Sequence, residues 1–546
     1  MRIPCIGLAV AALILQTPPR EGQQWWHHIE FLADDALQGR NVGTPGFEKA
    51  AEYVEQQFKE IGLKPAGSSG YRQPVKLESR RLVPEESSIA LVRDGQEQPL
   101  TMREDAMLSA RGELDGSIDA PMVFVGYGLS IPEAKWDDLA GQDLHGKIAV
   151  YVTSAAPVKI PDNVRSHLSS TAERWAVLRK AGAIGVATIS NFGAILTSRA
   201  ASPAAAATAP RPSADGRAGP PVVQPTVVLA DRDLQDQAGQ LVSMTLTAAG
   251  AEKLLQGSGH SVEELASLVR DRKPLPRFSL TGTLRVHAAL ERQSLDSENI
   301  VGMVEGSAPS LKSEYVVMSA HLDHLGVGRS INGDAIYNGA MDDASGVASV
   351  IEIARALKAS GVRTKRSIVF MTVTGEEKGE LGSKYFAAHP TVPFDAIVAD
   401  INLDMFLPLY PLKVIEVQGL AESSLGEAVR AAAQAEGVDV QTDREPEQNR
   451  FTRSDQYSFV RRGIPALAFK FGYEFGSPEE RTRREWVRDV YHKPIDDVKQ
   501  PVDTEAAVKF DRVILGLLER VADDPSRPKW NDDSFFKRFA VSANGG

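Results

Sequence analysis

From Glu298 onward, short β-rich apolar runs alternate with helical segments, and each run ends in residues that carry chemistry. Residues 315–319, 367–373, 396–403 and 465–471 read as strands. Val347, Val350, Ile351, Ala354 and Leu357 recur at helical spacing up to Gly361. This alternation predicts an α/β fold, a mostly parallel sheet with helices on both faces. Ligands of such sheets sit beyond the carboxyl ends of the strands. The first run leads into Ala320-His321-Leu322-Asp323-His324, the second into Thr374-Gly375-Glu376-Glu377, and the third closes at Asn402-Leu403-Asp404. Gly339-Ala340-Met341-Asp342-Asp343-Ala344-Ser345-Gly346 opens the helix, and Tyr491-His492-Lys493-Pro494 stands near the end of the chain.

Taken singly, each piece has an ordinary reading: a hydrogen-bonded histidine, a solvated Glu-Glu turn, an Asp-Asp helix cap. Jointly they gather several anionic groups and two imidazoles at one sheet edge. Like charges so placed repel, and a pair of divalent cations would neutralise them. The donor types select the metal. Cys5 is the single cysteine, and once it is lost with a leader no thiolate remains. Mixed imidazole and carboxylate ligation suits zinc, with manganese or cobalt as substitutes, whereas an all-oxygen calcium site would not need histidine. Two ions joined by a bridging carboxylate imply hydrolytic chemistry.

The chain has 546 residues, too many for one ordinary core, so several domains or an interrupted domain are expected. The apolar run at 5–15 reads as the core of a signal peptide over residues 1–20, so export to the periplasm or outside is expected. Thr44 and Pro45 start an amphipathic helix that stops at Gly62. Residues 198–221, rich in Ala, Pro, Ser and Gly, have the composition of a surface loop. A net charge of −11 gives no general reason to bind nucleic acid. No stretch after the leader is long and apolar enough to imply multi-span membrane embedding.

His321-x-Asp323, Asp342 within its Gly-Ala-Met-Asp-Asp-Ala-Ser-Gly run, Glu376-Glu377 followed by Gly382-Ser383, Asn402-x-Asp404-Met405 and Tyr491-His492-x-Pro494 together resemble the ordered motifs of the co-catalytic zinc aminopeptidase family that includes aminopeptidase Y and bacterial secreted leucyl aminopeptidases. The segment 32–46 and Asn299-Ile300-Val301-Gly302 resemble flanking parts of the same family. Val123-Phe124-Val125-Gly126-Tyr127-Gly128 through Ala181-Gly182 resembles an inserted protease-associated domain. The resemblance implies a zinc exopeptidase fold divided into 21–115 and 288–546, with the β-rich insertion at 116–287. It implies two Zn2+ per chain: Asp342 bridging, His321 and Asp404 completing one site, Glu377 and His492 the other. Glu376 would be the general base acting on a metal-bridging water, Tyr491 an oxyanion donor, and Asp323 and Asp496 supports of the ligands. The Asp342-Asp343 peptide resembles one that is cis in relatives.

The implied reaction is hydrolysis of the N-terminal residue from peptides, with a free α-ammonium attracted by Glu376 and Asp404. Phe451, Tyr457, Phe459 and Phe471 are aromatic candidates for a side-chain pocket, with the core as their commoner place. A carboxypeptidase or dipeptidase on the same scaffold would need a cation for the substrate carboxylate, from Arg450, Arg453 or Lys470. A glutaminyl cyclase, generally with one zinc, and a receptor-like relative without metal also compete with this reading; a complete donor set and Glu376 weigh against both. His145, His167 and His260, scattered through the insertion, read as structural or solvated.

Overall fold

The computed structural model describes residues 20–190 and 225–540; the apolar run of the expected leader and the loop at 198–221 lie outside the described residues. The strands Ser367–Val373, Tyr315–His321, Ile397–Asn402 and Ala466–Phe471 lie side by side, all parallel, at the centre of a ten-stranded sheet. Their side chains alternate between two cores. Val316, Met318 and Ala320 pack with the helices Arg20–Leu32, Pro45–Ile61, Ser345–Ser360 and Thr504–Asp523, while Val317 packs with Val369, Met371, Phe386 and Phe459 on the other face. Burial on both faces is why these strands read as unbroken apolar runs.

Beyond the centre the sheet is mixed. Leu290–Val304, Arg72–Leu82 and Thr226–Leu229 extend one side by antiparallel pairing. On the other side Val414–Gln418 pairs antiparallel with Ala466–Phe471 and parallel with Asp439–Thr442. The helix Pro45–Ile61 forms where the sequence places it: the Thr44 hydroxyl caps the Phe47 amide, and Gly62, at φ 78°, closes the last turn.

A second sheet of eight strands has its own core. Gly116–Val125, Ile148–Val152, Gly185–Ile189 and Val242–Leu246 are its parallel heart. Phe124, Val150, Ala187 and Met244 pack under the helices Ala248–Leu255 and Val262–Arg270 on one face, with Tyr151, Trp175 and Leu178 on the other. This sheet starts earlier than the residue 116 at which sequence opens the insertion. Ser88–Arg93, Gln96–Pro99 and Ala106–Leu108 also belong to it by pairing. A two-stranded ribbon joins the sheets: Arg72–Leu82 with Leu290–Val304 in the first continues into Ser88–Arg93 with Arg277–Ala288 in the second.

The helix Asp162–Ser169 of the second sheet's layer docks on loops of the first. Asn163 Nδ2 donates to Glu422 Oε1 at 2.6 Å, the Ser166 and Thr452 hydroxyls pair, and His167 Nδ1 pairs with the Tyr457 hydroxyl. His167 is therefore a packed structural histidine, ringed by Phe535, Phe536 and Phe539, and His260 stacks on Phe278 at 4.2 Å. Phe459 and Phe471 are fully buried in the cores, as is nearly all of Tyr457. Phe451 alone of the four aromatics also borders a cavity of about 320 Å³, shared with Asn163, Ser166, Gly419 and Arg450.

Candidate metal centre

Three neighbouring parallel strands deliver their following residues to one place. His321 ends the strand Tyr315–His321, Glu376 and Glu377 form the turn just after Ser367–Val373, and Asp404 lies two residues beyond Ile397–Asn402. Asp342 comes from the turn Ala340–Ala344 that feeds the helix Ser345–Ser360, and His492 follows the helix Pro478–Asp489. Gly339 makes the turn tight enough. Its φ is 64°, and a Cβ there would fall 2.2 Å from the Asp342 carbonyl oxygen and 2.5 Å from the His324 ring. The peptide between Asp342 and Asp343 is cis.

The two oxygens of Asp342 face different partners. Oδ1 lies 3.1 Å from His321 Nε2, which is 3.8 Å from Asp404 Oδ1. Oδ2 lies 3.2 Å from His492 Nε2, which is 3.3 Å from Glu377 Oε2. Donors about 2.0–2.2 Å from one tetrahedral zinc lie about 3.3 Å from each other, so these spacings suit a shared ion on each side. Among the described residues, His321, Asp342 and Asp404 form one group able to hold a cation, and His324, Asp342 and Glu377 form another. Asp342 Oδ2 and Glu377 Oε1 are buried without a hydrogen-bond partner. The sequence reading includes His324 in the run after the first strand but gives it no role.

Electrostatics agree with a cation site. Burial pulls the His492 imidazole down, yet the carboxylates of Asp342 and Glu377 beside it outweigh burial and push the group up to about 10. Burial raises the carboxyl of Asp404, but Lys470 and His321 bring it down to about 2. Glu376 behaves oppositely. Burial lifts its carboxyl well above the usual range, and despite His321 the nearby Asp455, Glu377 and Asp404 reinforce the lift. Tyr491 stacks on the His492 ring at 3.8 Å, and its hydroxyl makes no hydrogen bond to another described residue. Burial and then Asp342, Glu377 and Asp404 raise its phenol, keeping it protonated.

Residues 299–518, which carry all these side chains, match the sequence profile of Peptidase family M28. That stretch belongs to family M28. Probable leucine aminopeptidase 2 of Aspergillus oryzae is 28% identical over 227 residues, 40% of this chain and 42% of the relative. Carboxypeptidase Q of Xenopus laevis is 31% identical over 147 residues, 26% of this chain and 29% of the relative. The chain thus spans less than half the length of these curated relatives. The solved aminopeptidase from Aneurinibacillus sp. strain AM-1 shares the fold at a TM-score of 0.50 and 21% identity, over 93% of this chain and 95% of that one.

Around these side chains, backbone support is more specific than the motifs show. His321 is oriented by the carbonyl of Asp323, which accepts from Nδ1 at 3.0 Å, and not by the Asp323 carboxylate as the resemblance implies. That carboxylate instead accepts from the amides of Glu376 at 3.0 Å and Glu377 at 3.3 Å. The reason is local: the first N–H groups of the Glu376–Lys378 turn have no partner within the turn. Asp496 likewise grips backbone, accepting from Met341 N at 3.0 Å and Asp342 N at 3.1 Å, which fixes the carboxylate between the two groups.

Arg40, outside the M28 match, is the support that sequence reading misses. It is fully buried and donates only to carbonyls: Leu322 at 2.9 Å, Asn338 at 2.6 Å, Gly339 at 3.0 Å, and Leu32. Burial lowers it to about 10 against the opposing pull of Asp496, Asp323, Asp343 and Asp342. Arg40→Met would leave those carbonyls unpaired and the carboxylates without a buried counter-charge. Urea unfolding should show a loss of about 3–5 kcal/mol.

Proposed function

We propose that this chain is a zinc-dependent aminopeptidase that removes the N-terminal residue of peptides. The observation that carries the reading is Asp342, whose two oxygens face two separate imidazole–carboxylate groups. His321, Asp342 and Asp404 would hold one ion, and Asp342, Glu377 and His492 the other. Bound there, the ions would supply Lewis-acid polarisation of the scissile carbonyl and a lowered pKa for the attacking water. Glu376, half-buried beside the two groups, would take the proton from that water and hand it to the leaving amine. Asp323 holds the Glu376 amide and so aims its side chain. Tyr491, protonated and unengaged, serves as donor to the carbonyl oxygen as charge develops on it.

Selectivity for a free amine follows from the surroundings of Asp404 and of Glu376 in its ionised form, whose charges draw an α-ammonium. Each of the cations considered for a carboxypeptidase already has a partner, and Lys470 has its partner at Asp404 itself. Arg450 pairs with Glu445 at 2.6 Å and Asp443 at 3.3 Å, Arg453 donates to the Gln448 carbonyl at 3.3 Å, and Lys470 donates to the Asp404 carbonyl. The second sheet is read as a protease-associated insertion limiting access for large substrates. The leader is read as directing export. No helix among the described residues is long and apolar enough to cross a membrane.

Protein stripped with chelator and re-supplied with zinc should release chromophore from aminoacyl anilides and leave their N-acylated forms intact. Equal cleavage of blocked and free substrates would overturn the aminopeptidase assignment.

A further inference from the structure

The donors assigned so far leave one imidazole unexplained. His324 is completely buried, and neither of its ring nitrogens has a hydrogen-bond partner among the described residues. Its Nδ1 is 2.7 Å from Glu377 Oε1 and 3.9 Å from Asp342 Oδ2. Both of those oxygens are also buried and unpartnered, so the 2.7 Å approach is not an aligned hydrogen bond. Three orphaned polar atoms from three residues thus share one small space. The ring is built into place: the His324 amide donates to the Arg40 carbonyl at 3.3 Å, and Gly339 leaves no atom where a Cβ would strike the ring. The rings of His324 and His492 stand edge to face with centroids 5.8 Å apart, on the same side of Asp342.

We infer that His324 is a sixth protein ligand, so that the two ion positions differ in kind. The position shared by Asp342 Oδ2, Glu377, His492 and His324 has four protein donors. The position of His321, Asp342 Oδ1 and Asp404 has three and keeps more of its coordination places for reactants. The four-donor ion binds first and tightly, and the three-donor ion exchanges. This inference rests on the two-ion reading above.

Cobalt(II) alone, titrated into the metal-free full chain, tests it through the visible absorption band and metal content. Wild type should take two ions in separate steps. His324→Gln and His324→Ala, checked for native circular dichroism, should weaken the first step by more than about 100-fold and change its band, beyond the 10–100-fold typical of a partner that only orients a ligand. A smaller loss with an unchanged band would reduce His324 to an orienting partner of Glu377 and overturn the assignment. X-ray absorption of unmutated protein carrying one equivalent of zinc gives an answer free of folding effects: two imidazoles per zinc support the inference and one overturns it. Two ions bound with His324 irrelevant would sink this inference alone, whereas a wild-type chain that takes up no metal would sink the two-ion reading with it.

Discussion

Glu376→Gln is expected to lower kcat by about 10²–10⁴-fold, the usual share of a positioned general base, while zinc content stays at the wild-type level. The change keeps the size of the side chain and leaves the backbone amide on Asp323. It removes a carboxylate that is not needed as a donor to either proposed ion. Metal analysis run beside steady-state kinetics separates the roles. A variant that loses turnover and zinc together would show Glu376 to be a ligand, and one with near-normal kcat would remove it from the reaction.

Asp342→Asn should have the other large effect, on both activity and stability. An amide offers one oxygen where the carboxylate offers two, so a single residue can no longer serve both groups. Each ion held at a thousand times its dissociation constant stabilises the fold by about 4 kcal/mol. The zinc-induced rise in melting temperature, measured against chelated protein for each variant, should therefore fall by at least half in the variant, and hydrolysis of anilides should be lost. An undiminished rise would show that Asp342 does not join the two positions. Because Asp496 grips the amides of Met341 and Asp342, and not the side chain, the turn itself should survive the substitution.

How far the sequence reveals this protein depends on where each residue finds its partners. The four central strands are legible to within a residue or two because both faces are buried and the apolar runs are unbroken. The first is read as ending at Ser319, but it continues to His321, which still pairs with Val373. The long strands Arg277–Ala288 and Leu290–Val304 escape notice because much of each is exposed and polar, and only distant pairing makes them strands. The helix Pro478–Asp489, which places His492, buries only Arg483 and Trp486 and so shows no apolar stripe. The five proposed donors form recognisable motifs. His324 does not, since its meaning lies in Glu377 and Asp342 across the fold, and Arg40 reaches a carbonyl 282 residues away. Two imidazoles three residues apart at a strand end were the available signal for His324.

The spread of the site along the chain bears on biosynthesis. Its donors run from His321 to His492, one support comes from Arg40 near the start, and the grip on Asp342 comes from Asp496. A nascent chain that has not yet emerged past Asp496 holds scattered carboxylates and imidazoles with no common focus, and it has little affinity for a scarce metal. On the proposed reading, metal loading is therefore expected only after the chain through Asp496 has joined the fold.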